Sequence, residues 1–125
     1  MRVDVNNVRL TGTISREPQV AATGRGTTVL TLPVTVATMR PNGETADTFV
    51  DVVVYGKTAN GLLALAQTGM EVTVEKGTIR SRSWRDPNTG TMRSAVYVAA
   101  DAITLEHPLI AAARERMAAE ERSSS

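Results

Sequence analysis

The residues from position 49 to position 55 alternate between two kinds of side chain. Valine occupies positions 50, 52 and 54, whereas Phe49, Asp51, Val53 and Tyr55 occupy the positions between them. Because successive side chains of a strand point to opposite faces of a sheet, this pattern predicts a strand with valines on one face and aromatic rings on the other. The rings would then either stack on flat ligands such as nucleic-acid bases or cover a second apolar layer. The pattern leaves both interpretations open.

Similar alternation predicts further strands on both sides of this central one. They cover residues 3–14, 27–38, 70–84 and 92–105, and a short strand is expected over 19–23. Gly12 predicts a bulge or a bend in the first strand. Pro33 lies within the second strand, and because proline has no N–H to donate, we expect a sheet edge or a bulge there. The chain therefore has five main predicted strands.

Two segments have helical spacing instead. Apolar residues recur between positions 62 and 66, which predicts a short helix over residues 58–68, with Thr58 as its N-cap and a left-handed Gly69 after its end. Residues 108–122 are rich in Ala, Glu and Arg and predict a second helix. An apolar stripe along this helix leaves open a role in assembly, beside the simpler interpretation of a solvated helix.

The order of these elements predicts the fold. Five strands with a helix between the third and the fourth are the layout of an all-β OB-fold, a five-stranded Greek-key barrel, here followed by a C-terminal helix. We place the barrel at residues 1–106 and a helical or flexible tail at 107–125. In this fold the face of strands 2 and 3 and the loops 1–2 and 4–5 bind oligonucleotides or oligosaccharides.

Composition narrows the classes of function. The chain has 125 residues, 42% of them hydrophobic and 22% charged, which suits one soluble globular domain. It has no cysteine and one histidine, so we expect no disulfide, no thiolate metal site and no cofactor. No signal-peptide core or membrane-spanning run is present, so we expect a cytoplasmic protein. The acidic residues are scattered without metal-ligand spacing, and we expect no catalytic residues and no enzyme.

Positive charge is concentrated in one segment, although the formal net charge is only +1. Residues 76–93 contain five basic side chains against Asp86 alone, a local net charge of +4. Arg80, Arg82 and Trp84 share one parity of the predicted fourth strand. Aromatic rings interleaved with arginines on one face are typical of surfaces that bind single-stranded nucleic acid.

Several segments together resemble the bacterial-type single-stranded DNA-binding proteins. The resemblance extends from about residue 5 to residue 106 and rests on residues 5–12, 16–18, 49–59 and 77–84. The most specific parts are the junction that ends in Gly-Lys-Thr-Ala and the run Gly-x-x-Arg-x-Arg-x-Trp. The Gly-Lys-Thr sequence lacks a glycine-rich phosphate loop before it, so we reject a nucleotide-binding site.

The resemblance implies a function and a set of residues. It implies an OB-fold that binds single-stranded DNA without strong sequence preference during replication, recombination or repair, as a homotetramer or dimer of dimers. The stacking aromatics of the family correspond to Phe49, Tyr55 and Trp84. Its basic residues that contact the DNA backbone correspond to Lys57, Arg80, Arg82 and Arg85, and more loosely to Arg2 and Arg9. Subunits of the family pair through the first strand, which implies an interface at Val3, Val5, Val8 and Leu10.

The chain also departs from the family. Arg40 stands where the family usually has an aromatic residue, and its guanidinium can both stack and contact phosphate, so we include it in the site. Asp51 shares the face of Phe49 and Tyr55 and would repel phosphate, so the DNA backbone should pass to one side of it. The family's acidic tail tip, which recruits replication and repair proteins, is absent, so recruitment through it is not expected.

One alternative function remains at this point. An OB-fold protein-interaction or accessory module of a replication or mobile-element system would keep the barrel. Such a module would have no need for aromatic residues in phase with arginines. Tyr97, on the fifth strand, is expected to be a packing or interface residue.

Overall fold

The strands of the protein form a closed barrel, as seen in a computed structural model that describes residues 3–123. The elements, in chain order, are β1 (Val8–Ile14), β2 (Gln19–Ala22), β3 (Thr28–Met39), β4 (Thr45–Tyr55), α1 (Gly56–Leu62), β5 (Glu71–Arg85), β6 (Met92–Glu106) and α2 (Pro108–Ser123). Five long strands, a short helix after β4 and a C-terminal helix confirm the predicted OB-fold. No helix among the described residues is long and apolar enough to cross a membrane.

The strand order explains how the barrel closes. The sheet runs β1-β5-β6-β4-β3-β2, and an additional pairing of β1 with β3, the strand before the short edge strand β2, closes the barrel. At this closure Gly12 passes so close to β3 that a Cβ atom there would lie 2.6 Å from the Thr35 carbonyl oxygen. The register irregularity of β1 lies between Val8 and Leu10 and not at Gly12. Glycine is thus required at position 12 by close approach, whereas the bulge lies earlier in the strand.

Pro33 occupies a point where the neighbour of β3 changes. β3 pairs with β2 as far as Thr31 and with β1 from Val34 onward. Between them, the Pro33 carbonyl accepts a hydrogen bond from the Ser15 N–H at 2.8 Å. The side of Pro33 that lacks an N–H therefore faces the gap between β2 and β1, where no ladder hydrogen bond is lost. This confirms the prediction of a sheet edge at this residue.

The core lies inside the barrel and uses alternate positions of each strand. The largest fully buried side chains are Ile14, Leu30, Leu32, Val34, Val52, Val54, Val72 and Val74. Val8 and Leu10 pack against this core from β1. The alternation along each strand thus divides it into one face in the core and one face outside.

Three predicted boundaries were wrong. β1 begins at Val8 and not at Val3, because residues 3–7 lie outside the strand ladder. The central strand begins at Thr45 and not at Phe49, since its pairing with β3 continues to the turn at residues 40–44. Helix α1 spans Gly56–Leu62 and not 58–68, and its N-cap position is held by Tyr55 without a side-chain hydrogen bond.

The helix is shorter than predicted because little holds its second half in place. Gly56 has a φ of +64°, so the chain turns into the helix directly as β4 ends. Beyond Leu62, the side chains of Leu63 and Leu65 are exposed, and a short helix without packing is marginal. Gly69 has the predicted left-handed φ, +93°, but its N–H donates to the Ile14 carbonyl and does not cap the helix.

Candidate nucleic-acid interface

The outer face of β4 presents two aromatic rings. Phe49 is 72% exposed and Tyr55 is 39% exposed, whereas Val52 and Val54 are fully buried on the opposite face. This confirms the prediction that the valines fill the core and the rings stand outside. No second apolar layer within the chain covers these rings, because both remain accessible among residues 3–123.

Small side chains of β3 lie beside the two rings. In the register of this antiparallel pair, Tyr55 lies opposite Val29, and Phe49 lies opposite Thr35. Residues opposite one another in an antiparallel pair point to the same face of the sheet. Because valine and threonine do not project beyond an aromatic ring, the ring faces stay open to a flat ligand.

The β5–β6 hairpin adds arginines and a tryptophan. Its register places Arg80 opposite Tyr97 and Trp84 opposite Arg93, with Arg82 on the same face between them. Trp84 is 42% exposed, and the guanidinium carbon of Arg82 lies 5.6 Å from the centre of its ring. This distance permits a cation–π interaction that holds the ring and the charge side by side. The predicted shared parity of the three residues is confirmed.

A tyrosine pair connects the hairpin to β4. The Tyr55 hydroxyl donates a hydrogen bond to the Tyr97 hydroxyl at 3.4 Å. A depression beside this pair is lined by residues of four strands and includes Val29, Asp51 and Arg82. The aromatic face, as we call it, therefore joins β4 and the hairpin into one surface. It consists of Phe49, Tyr55, Arg80, Arg82, Trp84 and Tyr97.

Tyr55 keeps its proton at neutral pH. Burial raises the pKa of its phenol, and so does the contact with Tyr97, while the nearby Arg80 and Arg82 oppose these effects. Since the net shift is upward from a value already near 10, the ring is a neutral phenol under physiological conditions. A neutral ring does not repel phosphate, which suits a base-stacking position.

The sequence analysis did not include Arg16 in the site and expected Tyr97 to be a packing or interface residue. Tyr97 is half-buried and lies beside Tyr55, a packing contact that also brings it to the aromatic face. Arg16, in the connection between β1 and β2, borders a depression that also contains Phe49 and Asp51. Counting back symmetrically from the hairpin tip would have paired Tyr97 with Arg80. No periodicity marks Arg16, because it lies in a loop.

Other predicted basic residues lie apart from the aromatic face or have a local role. Arg9 borders a separate depression with Thr11 and Thr73, which shares no residue with those around the aromatic face. The Arg85 guanidinium donates to the Gly90 carbonyl at 2.8 Å and so closes the hairpin tip. Arg85 also alternates with Trp84 and belongs to the opposite face of the hairpin.

Three further predicted contacts are placed as follows. Lys57 is exposed in the first turn of α1, two residues beyond Tyr55. Arg40 is exposed in the turn after β3, where its backbone N–H donates to the Glu44 carbonyl at 2.7 Å. Arg2 lies outside the described residues.

The tip of the hairpin is held by an acidic side chain. The pKa of Asp86 is lowered, most of all by the hydrogen bond from the Asn88 backbone N–H. The Arg93 guanidinium also lowers this pKa, and its Nε lies 2.8 Å from a carboxylate oxygen of Asp86. This ion pair neutralises the charge of Arg93. Arg80 and Arg82 therefore supply the positive charge that the hairpin contributes to the aromatic face.

The four predicted interface residues divide into two pairs. Val3 and Val5 are 87% and 92% exposed, whereas Val8 and Leu10 pack against the core of their own barrel. The Asn6 side chain fixes the segment between these pairs: its Nδ2 donates to the Ile79 carbonyl and its Oδ1 accepts from the Ile79 N–H, both at 2.8 Å. The first pair is thus presented to the outside by a segment that is anchored along β5.

Among the described residues, no three acidic or histidine side chains gather as a metal ion would require. An aromatic ring or an arginine borders each of the three depressions that Asp51 also lines. Such a surface can hold a flexible, flat and negatively charged ligand by stacking and charge.

Comparisons with known proteins agree with this geometry. The model of the single-strand binding protein family matches residues 5–106. The single-stranded DNA-binding protein of Borreliella burgdorferi is 32% identical over 101 residues, which are 78% of this chain and 67% of that protein.

Solved structures of similar fold come from Thermus aquaticus. Its wild-type single-stranded DNA binding protein aligns with a TM-score of 0.69 at 24% identity, and a deletion mutant of it aligns with a TM-score of 0.65 at 25% identity. Each alignment covers 83% of this chain and 51% of the other chain. The chain therefore spans about half the length of these solved structures.

Proposed function

Because the chain belongs to the single-strand binding protein family, we propose that it binds single-stranded DNA on its aromatic face, without strong sequence preference. The observation that carries this proposal is the placement of exposed Phe49, Tyr55 and Trp84 on one surface together with Arg80 and Arg82. The binding domain is the barrel of residues 1–106, and residues 107–125 form a separate tail. The family consists of binding proteins, and we assign no catalytic residue to the chain.

Base stacking supplies the first part of the binding energy. Each base that stacks on an aromatic ring contributes about 1–3 kcal/mol, and every base has a flat face, so stacking tolerates any sequence. Phe49 and Tyr55 are six residues apart on β4, a separation of about 20 Å along a strand. Several nucleotides are therefore needed to reach from one ring to the other, and Trp84 extends the path onto the hairpin.

Phosphate neutralisation supplies the second part. Arg80 and Arg82 lie between the rings of Tyr55 and Trp84, where the backbone of a stacked strand must pass. Each neutralised phosphate releases bound counterions, so affinity falls as salt rises. Duplex DNA hides its base faces and is excluded from the stacking positions.

The remaining basic residues extend the path in this proposal. Lys57 and Arg40 contact the DNA backbone near opposite ends of β4, and Arg85 contacts it near the hairpin tip. Arg9 joins only if the strand continues around the barrel, because it borders a different depression. Arg2 follows from the family resemblance alone.

We further propose that the protein assembles as a homotetramer and protects single strands during replication, recombination or repair in the cytoplasm. The exposed Val3 and Val5 support an interface along β1 and the segment that precedes it, since apolar side chains at an anchored surface favour association. In native mass spectrometry, we expect Val5→Asp to reduce the assembly to smaller species. Val20→Asp, the same change at another exposed valine, on β2, should leave the assembly intact. Equal behaviour of the two variants would place the interface elsewhere.

The binding proposal is tested by competition. A fluorescein-labelled dT oligonucleotide is bound to the protein, and its anisotropy is followed as unlabelled single strand or unlabelled duplex of the same length is added. We expect the single strand to displace the label and the duplex to displace it poorly. Failure of the labelled strand to bind would refute the proposal and favour a protein-interaction module instead.

A further inference from the structure

One carboxylate lies in the middle of a surface that should attract phosphate. Asp51 is on the outer face of β4, between Phe49 and Tyr55, and is half-buried. It borders three of the depressions on this side of the barrel, and thus lies at their common wall. Within residues 3–123 its carboxylate has neither a hydrogen-bond partner nor a cation in salt-bridge range. Neither an ion pair that would neutralise its charge nor a hydrogen bond that would hold the fold accounts for a carboxylate at this position.

A stacked strand changes the surroundings of this carboxylate. Bases that cover Phe49 and Tyr55 displace water from the residue between them. An acceptor that loses its water without gaining a donor is destabilised, and the penalty is larger for a charged group. Phosphate cannot supply the donor, because it is an anion. Arg16 and Arg82 border depressions that Asp51 also borders, but neither guanidinium lies in salt-bridge range of the carboxylate. A donor that the DNA itself brings must therefore come from the edge of a base.

The bases differ in what their edges offer. Cytosine and adenine carry an exocyclic amine, and guanine carries an amine on its Watson–Crick edge, all of which donate to a carboxylate. Thymine and uracil carry a carbonyl oxygen where cytosine has its amine. Their one edge donor, the N3–H, lies between two carbonyl oxygens that repel a carboxylate, so these bases offer a poorer partner. Aspartate and glutamate accordingly pair with the cytosine amine in nucleic-acid recognition.

From this position and this chemistry, we infer that Asp51 is a specificity-determining residue that favours bases with an exocyclic amine over thymine and uracil. The inference rests on the proposed function, since it needs bases stacked on the neighbouring rings. It concerns one position on a surface that otherwise stacks any base. A bias of a few fold is therefore compatible with binding to all sequences.

The experiment compares two homopolymers that differ at this edge. Oligo-dC and oligo-dU of equal length have the same backbone and charge, and at position 4 one has an amine and the other an oxygen. Affinities are measured by anisotropy at fixed salt for the wild type and for Asp51→Asn. The control is Asp101→Asn, which removes the charge of an exposed carboxylate on β6 that borders none of the outer depressions.

We expect the wild type to bind oligo-dC about three- to tenfold more tightly than oligo-dU, the range of one hydrogen bond on a partly exposed surface. Asp51→Asn should bring this ratio close to one, while Asp101→Asn should keep it. Removing the negative charge also raises affinity for both strands, so the ratio and not the absolute affinity is the decisive quantity.

The outcomes separate the two claims. A ratio that is the same in the wild type and in Asp51→Asn overturns the inference and leaves the proposed function standing. Binding of neither homopolymer overturns the proposed function, and the inference falls with it. Loss of the ratio in Asp101→Asn as well would show a general charge effect and would also overturn the inference.

Discussion

Truncation of Trp84 is the most informative single change to the aromatic face. Trp84→Ala removes a stacking surface that is 42% exposed and lies 5.6 Å from the Arg82 guanidinium. Loss of one stacked base costs about 1–3 kcal/mol, which corresponds to a loss of affinity of about 5- to 150-fold. The residue lies beyond the buried part of the hairpin, so the free energy of unfolding should fall by about 1 kcal/mol or less.

The assay uses a labelled dT oligonucleotide, because the variant has no tryptophan of its own to report binding. Anisotropy is measured at several salt concentrations. Because Trp84→Ala removes no charge, it should lower the affinity for DNA by the same factor at every salt concentration. The slope of log affinity against log salt should therefore stay unchanged. The matched control is Met92→Ala, which shortens a side chain that is 57% exposed on the opposite face of the same hairpin.

Unchanged affinity of Trp84→Ala would refute this reasoning, because it would remove the ring from the binding path. An equal loss of affinity in Met92→Ala would contradict the assignment to stacking, because a truncation on the opposite face of the hairpin would then have the same effect.

The remaining predictions concern charge, closure of the barrel and acid sensitivity. Arg82→Gln should reduce the slope of log affinity against log salt by about 1, and an unchanged slope would mean that Arg82 contacts no phosphate. Gly12→Ala should lower the free energy of unfolding by about 1–3 kcal/mol in urea titrations, because the added Cβ would lie 2.6 Å from β3 atoms. The control Gly61→Ala should not lower it, because the space around Gly61 is open. Equal destabilisation by the two changes would contradict the close approach at Gly12. Folding lowers the pKa of Asp86. The ionised carboxylate therefore stabilises the fold fully at pH values above the pKa of the unfolded chain, about 3.9, and this stabilisation is lost as the pH falls through the lower pKa of the folded state. An NMR titration of this carboxyl should therefore have a midpoint below about 3.9, and a midpoint at or above that value would contradict the hairpin-tip contacts.

The sequence predicts the barrel and its aromatic face well because one face of each strand is buried. A shift of one residue in β4 would move Val52 and Val54 out of the core, so the alternation fixes which way Phe49 and Tyr55 point. The same argument places Arg82 with Trp84.

The errors arise where tertiary contacts, and not periodicity, decide the structure. The length of α1 depends on which leucines reach the core, and Leu63 and Leu65 do not. The contact of Tyr97 with Tyr55 joins residues 42 positions apart, so no local pattern predicts that this packing residue borders the aromatic face. Arg16 reaches this region through a loop that has no repeating pattern.

The most direct test of the account follows the emission of Trp84, the single tryptophan of the chain, during titration with DNA. Oligo-dT and duplex of equal length are added separately at low and at high salt. Strong quenching by the single strand, weakened by salt and absent with duplex, is the result that stacking on the aromatic face predicts. No change in emission with either DNA would contradict the central claim that bases stack on this ring.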